Sequence, residues 1–384
     1  MIDYSDHNHL EQLSEYLWQG PRSRASVMVG AGISRNAIPL HGEQNSFPAW
    51  RELSQLMLKE LYPDTPIEEF MTKTATRIAS EYSSRFGEAG LEDFLRKSIP
   101  DDSHKPGEIH RLLLKLPWND VYTTNYDTLL ERTEVAERTY SQVTKITDLM
   151  NPSPPQIIKL HGSFPCQTPF IITESHYLRY EEEFAPFVNT FRQSLIVNAL
   201  VLLGFSGDDP NFQKWTRWIQ HHFDNKNHPI YMISSSHLQD VERSYLIDRG
   251  VTPIDLSLVF NAAESSSESH AKRLESFLHK LLNDRPARPE RWPRSVSSTS
   301  PLVNDESSAL DVLHRWRSER KEYPGWIVPT DDIRRELFAD LNQNYGRILK
   351  AIVEWTPVER ALIFREILWR FDISMLPLES TLIM

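Results

Sequence analysis

The chain has 384 residues, 40% hydrophobic and 25% charged, a length and balance that fit an ordinary globular protein of two or three domains. Its net charge of -11 argues against direct nucleic-acid binding through a broad electrostatic grip, which needs a basic face. With one cysteine, Cys166, neither a disulfide framework nor a four-thiolate zinc site can be built within the chain.

The chain opens on MIDYSDHNHL, which is polar and lacks the charged-then-apolar pattern of a secretory signal. Its most apolar stretch, Leu195–Phe205, contains Asn198 and is too short to span a bilayer. The expectation is a cytoplasmic protein without membrane attachment. One cysteine in so long a chain suits a reducing compartment.

Six short β-rich runs follow one another: Ser26–Gly30, Asp120–Thr123, Ile157–Leu160, Leu200–Gly204, Ile230–Ile233 and Val251–Ile254. Most are continuous apolar runs, as strands covered on both faces require. Helical patterns such as Trp50–Leu61, Asn211–Phe223 and His237–Arg249 lie between them. This alternation predicts an α/β fold, a Rossmann-like doubly wound parallel sheet. From about residue 63 to 115 no strand is evident, and helical segments at Ile67–Phe86 and Leu91–Ser98 predict a helical insertion between the first two strands. The segment RPARPERWPRSVSSTSP reads as a linker. Beyond it the apolar residues Ile333, Leu337, Leu341, Tyr345, Ile348 and Ile352 recur at helical spacing, and Leu362, Ile367 and Phe371 continue it after Pro357. The expected organisation is therefore a domain over 1–284, a linker over 285–305, and a C-terminal helical extension over 306–384 for assembly or partner binding.

Four strand ends carry polar motifs. The first strand runs into Gly30-Ala31-Gly32-Ile33-Ser34, where glycines let the backbone approach a phosphate, or merely turn tightly, since the third glycine of the dinucleotide fingerprint is absent. The second ends in Thr123-Thr124-Asn125-Tyr126-Asp127, placing these side chains where open α/β sheets hold ligands. Asp127 equally suits the cap of a helix over Thr128–Arg132, whereas Asn125 comes early for one. The third ends in Leu160-His161-Gly162-Ser163. There His161 is placed either to act as a general base or to be satisfied by nearby backbone, and Gly162 leaves room for a substrate. The fourth runs into Gly204-Phe205-Ser206-Gly207-Asp208-Asp209-Pro210-Asn211. Asp209 and Pro210 make a helix start, while Gly204, Ser206 and Gly207 look like a second phosphate- or ribose-contacting loop.

In this order GAGIS, TTNYD, LHGS and GFSGDDPN resemble the sirtuin family over about residues 20–260. The resemblance implies NAD as substrate, Gly30, Ala31 and Gly32 against its phosphates, catalytic roles for Asn125 and His161, and Asp127 near the nicotinamide ribose. Ser34, Thr124, Gly204 and Ser206 complete the expected NAD contacts. Two departures separate the chain from protein-deacylating sirtuins: it lacks their four-cysteine zinc module, so no zinc is expected, and GFSGDDPN passes straight into a helix where they have a peptide-pairing strand. The chain is more similar to bacterial sirtuin-like proteins of anti-phage defence that degrade NAD, and its size and helical tail resemble the partner of a HerA-type ATPase. What this implies is an NAD hydrolase working as a homo-oligomer. A deacylase, an ADP-ribosyltransferase and a non-catalytic NAD or ADP-ribose sensor are the alternatives.

Overall fold

A computed structural model describes residues 4–18, 23–40, 46–70, 72–136, 138–150, 153–165, 167–224, 226–260, 267–286, 308–322 and 331–374. Cys166, most of the linker and the apolar stretch after residue 374 lie outside the described residues. The chain divides into two compact units, one of residues 1–17 and 22–282, the other of residues 18–21 and 283–384.

The first unit is built from α1 (Tyr4–Trp18), β1 (Ala25–Val29), α2 (Ala31–Ser34), β2 (Ile38–Pro39), α3 (Trp50–Leu61), α4 (Ala75–Ser98), β3 (His104–Lys105), α5 (Glu108–Lys115), β4 (Asp120–Thr123), β5 (Ser141–Val143), β6 (Gln156–Lys159), α6 (Glu174–Glu183), α7 (Ala185–Val197), β7 (Ala199–Leu203), α8 (Pro210–Phe223), β8 (Ile230–Ser234), α9 (Asp240–Asp248), β9 (Val251–Asp255), α10 (Leu256–Val259) and α11 (Ser267–Asn283). Seven strands form one sheet in the order β5-β6-β4-β1-β7-β8-β9, and all its pairings are parallel. Every residue of β1 and β7 is buried. Continuous apolar runs such as ASVMV and ALVLL are what a strand covered on both faces needs. On one face Met28, Tyr122, Leu200 and Leu202 pack with Phe191 of α7 and Trp215 and Ile219 of α8.

The expected helical insertion is present between β1 and β4, with α4 and α5 inside the span of about 63–115 and α3 packed on it from before that span. Its own core joins Leu53 and Met57 to Ile78, Tyr82, Phe94 and Leu95 and takes in Tyr126, Phe164 and Phe170 from the loops after β4 and β6. The insertion thus grips two of the four motif loops.

Several local expectations need correction. The insertion is not free of strand, because His104–Lys105 pairs antiparallel with Ile38–Pro39, a ladder too short to carry a period. Strand β5, Ser-Gln-Val, has only one fully buried residue and escapes both the alternating and the continuous pattern. The residues after Asp127 make a single turn closed by Arg132 N–H to the Thr128 carbonyl rather than a helix. The first of the two helices expected over 67–98 starts later, at Ala75, after a short 3-10 turn at Ile67–Phe70, and the break expected between the two falls at Gly87, whose φ of +78° divides α4 into two helical segments.

The second unit contains α12 (Ala309–Glu322), α13 (Asp331–Ala351) and α14 (Pro357–Ser374). Val312, Trp316, Leu341, Ile348, Leu362, Ile363 and Phe371 form its core, so the helical spacing read from Ile333 onward does mark a buried face. Among the described residues no helix is long and apolar enough to cross a membrane.

Candidate active site

The carboxyl ends of β1 and β4 meet first. The Thr123 hydroxyl donates to the Val29 carbonyl at 2.9 Å and accepts the Asn125 N–H at 3.1 Å, so one side chain fixes both strand ends and starts the following loop. Beyond it Tyr126 is buried in the insertion core and donates its hydroxyl to the Ile171 carbonyl at 2.9 Å. With Thr123 and Tyr126 anchored, the two residues between them, Thr124 and Asn125, are held in place. Asn125, half-buried, faces a cavity lined by Ala31, Ser34, Phe47, Trp50, Thr124 and Asp127 among others.

Inside that cavity wall the polar side chains form a relay. The Asn125 Nδ2 donates to Ser34 Oγ at 3.0 Å, and Ser34 Oγ donates to Asp127 Oδ2 at 2.8 Å. The other Asp127 oxygen accepts the Leu129 N–H at 3.2 Å. Both Asp127 oxygens are thus taken by the chain itself, Oδ1 by the turn that follows and Oδ2 by Ser34. Burial pushes the Asp127 carboxyl up, against the pull of Lys159 and the Ser34 hydrogen bond. Lys159, itself buried, pairs with Glu131 at 3.0 Å and donates to the Asp127 carbonyl.

The relay also fixes an orientation. With Nδ2 committed to Ser34, the Asn125 carbonyl oxygen is left as the acceptor. An acceptor is what a water or a ribose hydroxyl requires of its neighbour.

The glycines have packing reasons of their own. Gly30 N–H donates to the Leu203 carbonyl and Gly32 N–H to the Gly204 carbonyl, each at 3.0 Å. A Cβ on Gly30 would stand 2.3 Å from the Gly204 oxygen. The first and fourth loops touch backbone to backbone, a contact only glycine allows. The helix behind Gly30 is a single turn, Ala31–Ser34. Gly162 is also spoken for: its φ is +95°, and a Cβ there would lie 2.7 Å from the Gln167 carbonyl. The room expected for a substrate is filled by the chain folding back on itself. Gly204 and Ser206 lie on the exposed loop after β7 rather than in the cavity wall, and Ser206 Oγ accepts the Asp208 N–H at 3.4 Å.

His161 stands two residues past the rung that pairs Thr123 with Lys159, as Asn125 does, so both lie in the loops just beyond the ends of neighbouring strands. Its ring is fully buried, edge-on to Tyr177 and Tyr180 at 5.5 and 5.6 Å between centroids, and is not among the residues of the cavity wall. Neither ring nitrogen has a hydrogen-bond partner among the described residues, so the backbone-satisfied alternative does not describe it. Burial drives its pKa below the ordinary histidine value, against the pull of Asp209. Asp209 does cap α8, with Oδ1 accepting the Phe212 N–H at 2.9 Å. Its other oxygen accepts the Tyr177 hydroxyl at 2.8 Å and lies 3.9 Å from His161 Nδ1. Sequence alone gives Asp209 the first role only and gives no sign of Tyr177.

Among the described residues no group of three or more His, Cys, Asp or Glu side chains is placed to hold a metal ion.

Residues 119–254 match the family described as SIR2-like domain, a span that holds the motifs after β4, β6 and β7 but not GAGIS. The chain is 26% identical over 216 residues to the NAD(+) hydrolase ThsA of Acinetobacter baumannii, covering 54% of this chain and 42% of that one. It is 29% identical over 221 residues to the NAD(+) hydrolase ThsA of Enterococcus faecium, covering 55% and 43%. The chain thus matches less than half the length of these curated relatives. A solved Sir2 homologue in complex with ADP ribose is similar at 12% identity and a TM-score of 0.37, over 72% of this chain and 97% of that one.

Proposed function

We propose that this SIR2-like chain is an NAD hydrolase that splits the nicotinamide–ribose bond of NAD to give nicotinamide and ADP-ribose. The observation that carries this reading is the Asn125–Ser34–Asp127 relay at the carboxyl ends of β1 and β4, which presents one amide oxygen to a cavity. The relatives named NAD(+) hydrolase support it.

The chemistry needs little apparatus. The nicotinamide of NAD is cationic and leaves as a neutral molecule, so a paired-carboxylate acid is unnecessary. The Asn125 oxygen orients water or ribose, and Asp127 with Thr124 lies beside the same ribose. His161 takes the proton released when water attacks the anomeric carbon. Such base catalysis contributes roughly a hundred- to ten-thousand-fold. Ala31 and the backbone of Gly30 and Gly32 lie toward the phosphates, with Gly204 and Ser206 across the loop contact. His161 is fully buried, so NAD must reach it through movement of the surrounding side chains.

Hydrolysis is favoured over peptide deacylation or ADP-ribosylation by the loop after β7, which enters α8 directly at Pro210 and leaves no strand there to pair with a peptide. We further propose that the enzyme acts in the cytoplasm in antiviral defence by depleting NAD. In this reading the helical unit supports a homo-oligomer and contacts a HerA-type ATPase.

The deciding experiment is incubation of purified protein with NAD and no protein substrate, following nicotinamide and ADP-ribose, alone and with a HerA-type ATPase added. Release of both products, abolished in Asn125→Ala and His161→Ala with the fold kept, is the expected result. NAD left intact in both incubations refutes the reading, as does a near wild-type rate in either variant.

A further inference from the structure

Asp209 does two jobs with its two oxygens. Oδ1 caps α8 through the Phe212 N–H, and Oδ2 takes the Tyr177 hydroxyl while standing 3.9 Å from His161 Nδ1. The carboxylate is clamped from two elements and cannot swing away. Around the His161 ring the titratable groups are Tyr177 and Tyr180 from α6 and Asp209 from the cap of α8, and Asp209 is the charged one of the three. A distance of 3.9 Å is too long for a hydrogen bond, so the contact acts here through charge.

We propose that Asp209 is the positioning residue of His161: its carboxylate keeps the imidazole proton on Nδ1 and leaves the Nε2 lone pair as the base. This rests on the NAD-hydrolase reading of the site. In the step concerned, a water O–H bond breaks and its proton goes to Nε2. The water oxygen forms the new bond to the anomeric carbon, and the electrons of the carbon–nitrogen bond leave with neutral nicotinamide. The imidazolium formed faces Asp209, whose charge offsets it. Tyr177 tempers that charge by donating to the same oxygen. Its removal and that of the carboxylate therefore act on His161 in opposite directions, which a merely structural pair would not do.

The test uses the full chain and two readouts. Asp209→Asn keeps a strong helix cap, so melting should be unchanged. Asp209→Ser is a second capping variant that guards against misfolding of the first. His161 is followed by NMR of ring-labelled histidine, assigned with His161→Gln, and NAD cleavage is followed from pH 5 to 9. Losing the carboxylate should lower the His161 pKa by about one unit, move the acid limb of the cleavage profile down by as much, and cut kcat about tenfold with KM little changed. Tyr177→Phe should move both in the other direction. An unmoved His161 titration in both Asp209 variants overturns the proposal, as does an acid limb that stays in place. If the wild type does not cleave NAD, the functional reading fails, and the NMR titration still decides what Asp209 does to His161.

Discussion

Ser34 and Asp127 are 93 residues apart in the chain, yet the Ser34 hydroxyl donates to the Asp127 carboxylate at 2.8 Å and both side chains are buried. The bond joins the single turn after β1 to the loop after β4. It also gives Asn125 its acceptor, since the same Ser34 oxygen receives the Asn125 amide.

Ser34→Ala removes both bonds at once. A buried carboxylate then loses a donor, which costs about 1–3 kcal/mol of stability. The Asn125 amide becomes free to rotate, so NAD cleavage should fall about ten- to a hundredfold, the loss expected from a misplaced orienting group. Ser34→Thr restores the hydroxyl and should recover part of the rate. Denaturation midpoints and initial rates of the two variants check this, and an Ala variant with wild-type kcat would show that the relay does not orient Asn125.

Gly204 joins the first loop to the fourth. Its φ is +63°, and a Cβ there would lie 2.6 Å from the Ile33 nitrogen. Gly204→Ala therefore meets both backbone strain and a clash with main chain, and should cost about 2 kcal/mol or more. Because the displaced atoms belong to the turn that ends at Ser34, NAD affinity should weaken with it. Thermal melting and NAD binding of this variant measure both effects. A variant as stable as the wild type would mean the loops part without cost.

How much of this was legible beforehand differs by residue. The six long strands showed themselves because burial on both faces demands unbroken apolar runs, and Asp209-Pro210 announced α8 because caps are local chemistry. Asn125 and Asp127 stood out as polar residues just past a strand. The relay between them was not readable, since it depends on Ser34 arriving from another loop. Gly30 and Gly32 suit a phosphate loop or a tight turn on sequence alone, and the contact with Gly204 supplies a third reason that only the fold reveals. Tyr177 sits in α6, ESHYLRYEEE, a mostly polar helix whose pattern marks out no functional residue. Its role depends on which carboxylate the fold sets against it.

His110 gives the first unit an acid limit. It is buried, its Nδ1 accepts the Gly107 N–H at 3.2 Å, and burial lowers its pKa from 6.5 to about 4. The folded chain binds this proton less readily than the unfolded chain. Stability is therefore intact above pH 6.5 and is lost as pH falls toward 4. At pH 5 the loss from this group is about 2 kcal/mol. His110→Gln keeps an acceptor for the Gly107 N–H and removes the proton, so its stability should stay flatter between pH 7 and 5. Urea melts of both chains at the two pH values decide the point, and parallel curves would remove His110 from the account.

The helical unit has an exposed weakness in its buried charge. Arg370 is fully buried, pairs with Glu319 at 2.7 Å, and lies over the Trp316 ring at 4.5 Å. Glu319 also takes Arg315 at 2.8 Å, so one carboxylate answers two guanidinium groups. Glu319→Ala takes away the hydrogen-bonded partner of Arg370 and leaves it only the charges of Asp340 and Glu366, and breaking one side of a buried pair costs about 3–5 kcal/mol. That is enough to unfold a three-helix unit of this size. Replacing both partners, Glu319→Leu with Arg370→Met, should cost far less, because apolar groups can fill the same space. The pair of variants also tests assembly: if α12 to α14 hold copies of the chain together, Glu319→Ala should lower the mass in solution while the double variant keeps it. Light scattering on the three proteins gives the answer, and an unchanged mass in Glu319→Ala with α12 to α14 unfolded would show that these helices do not hold copies together.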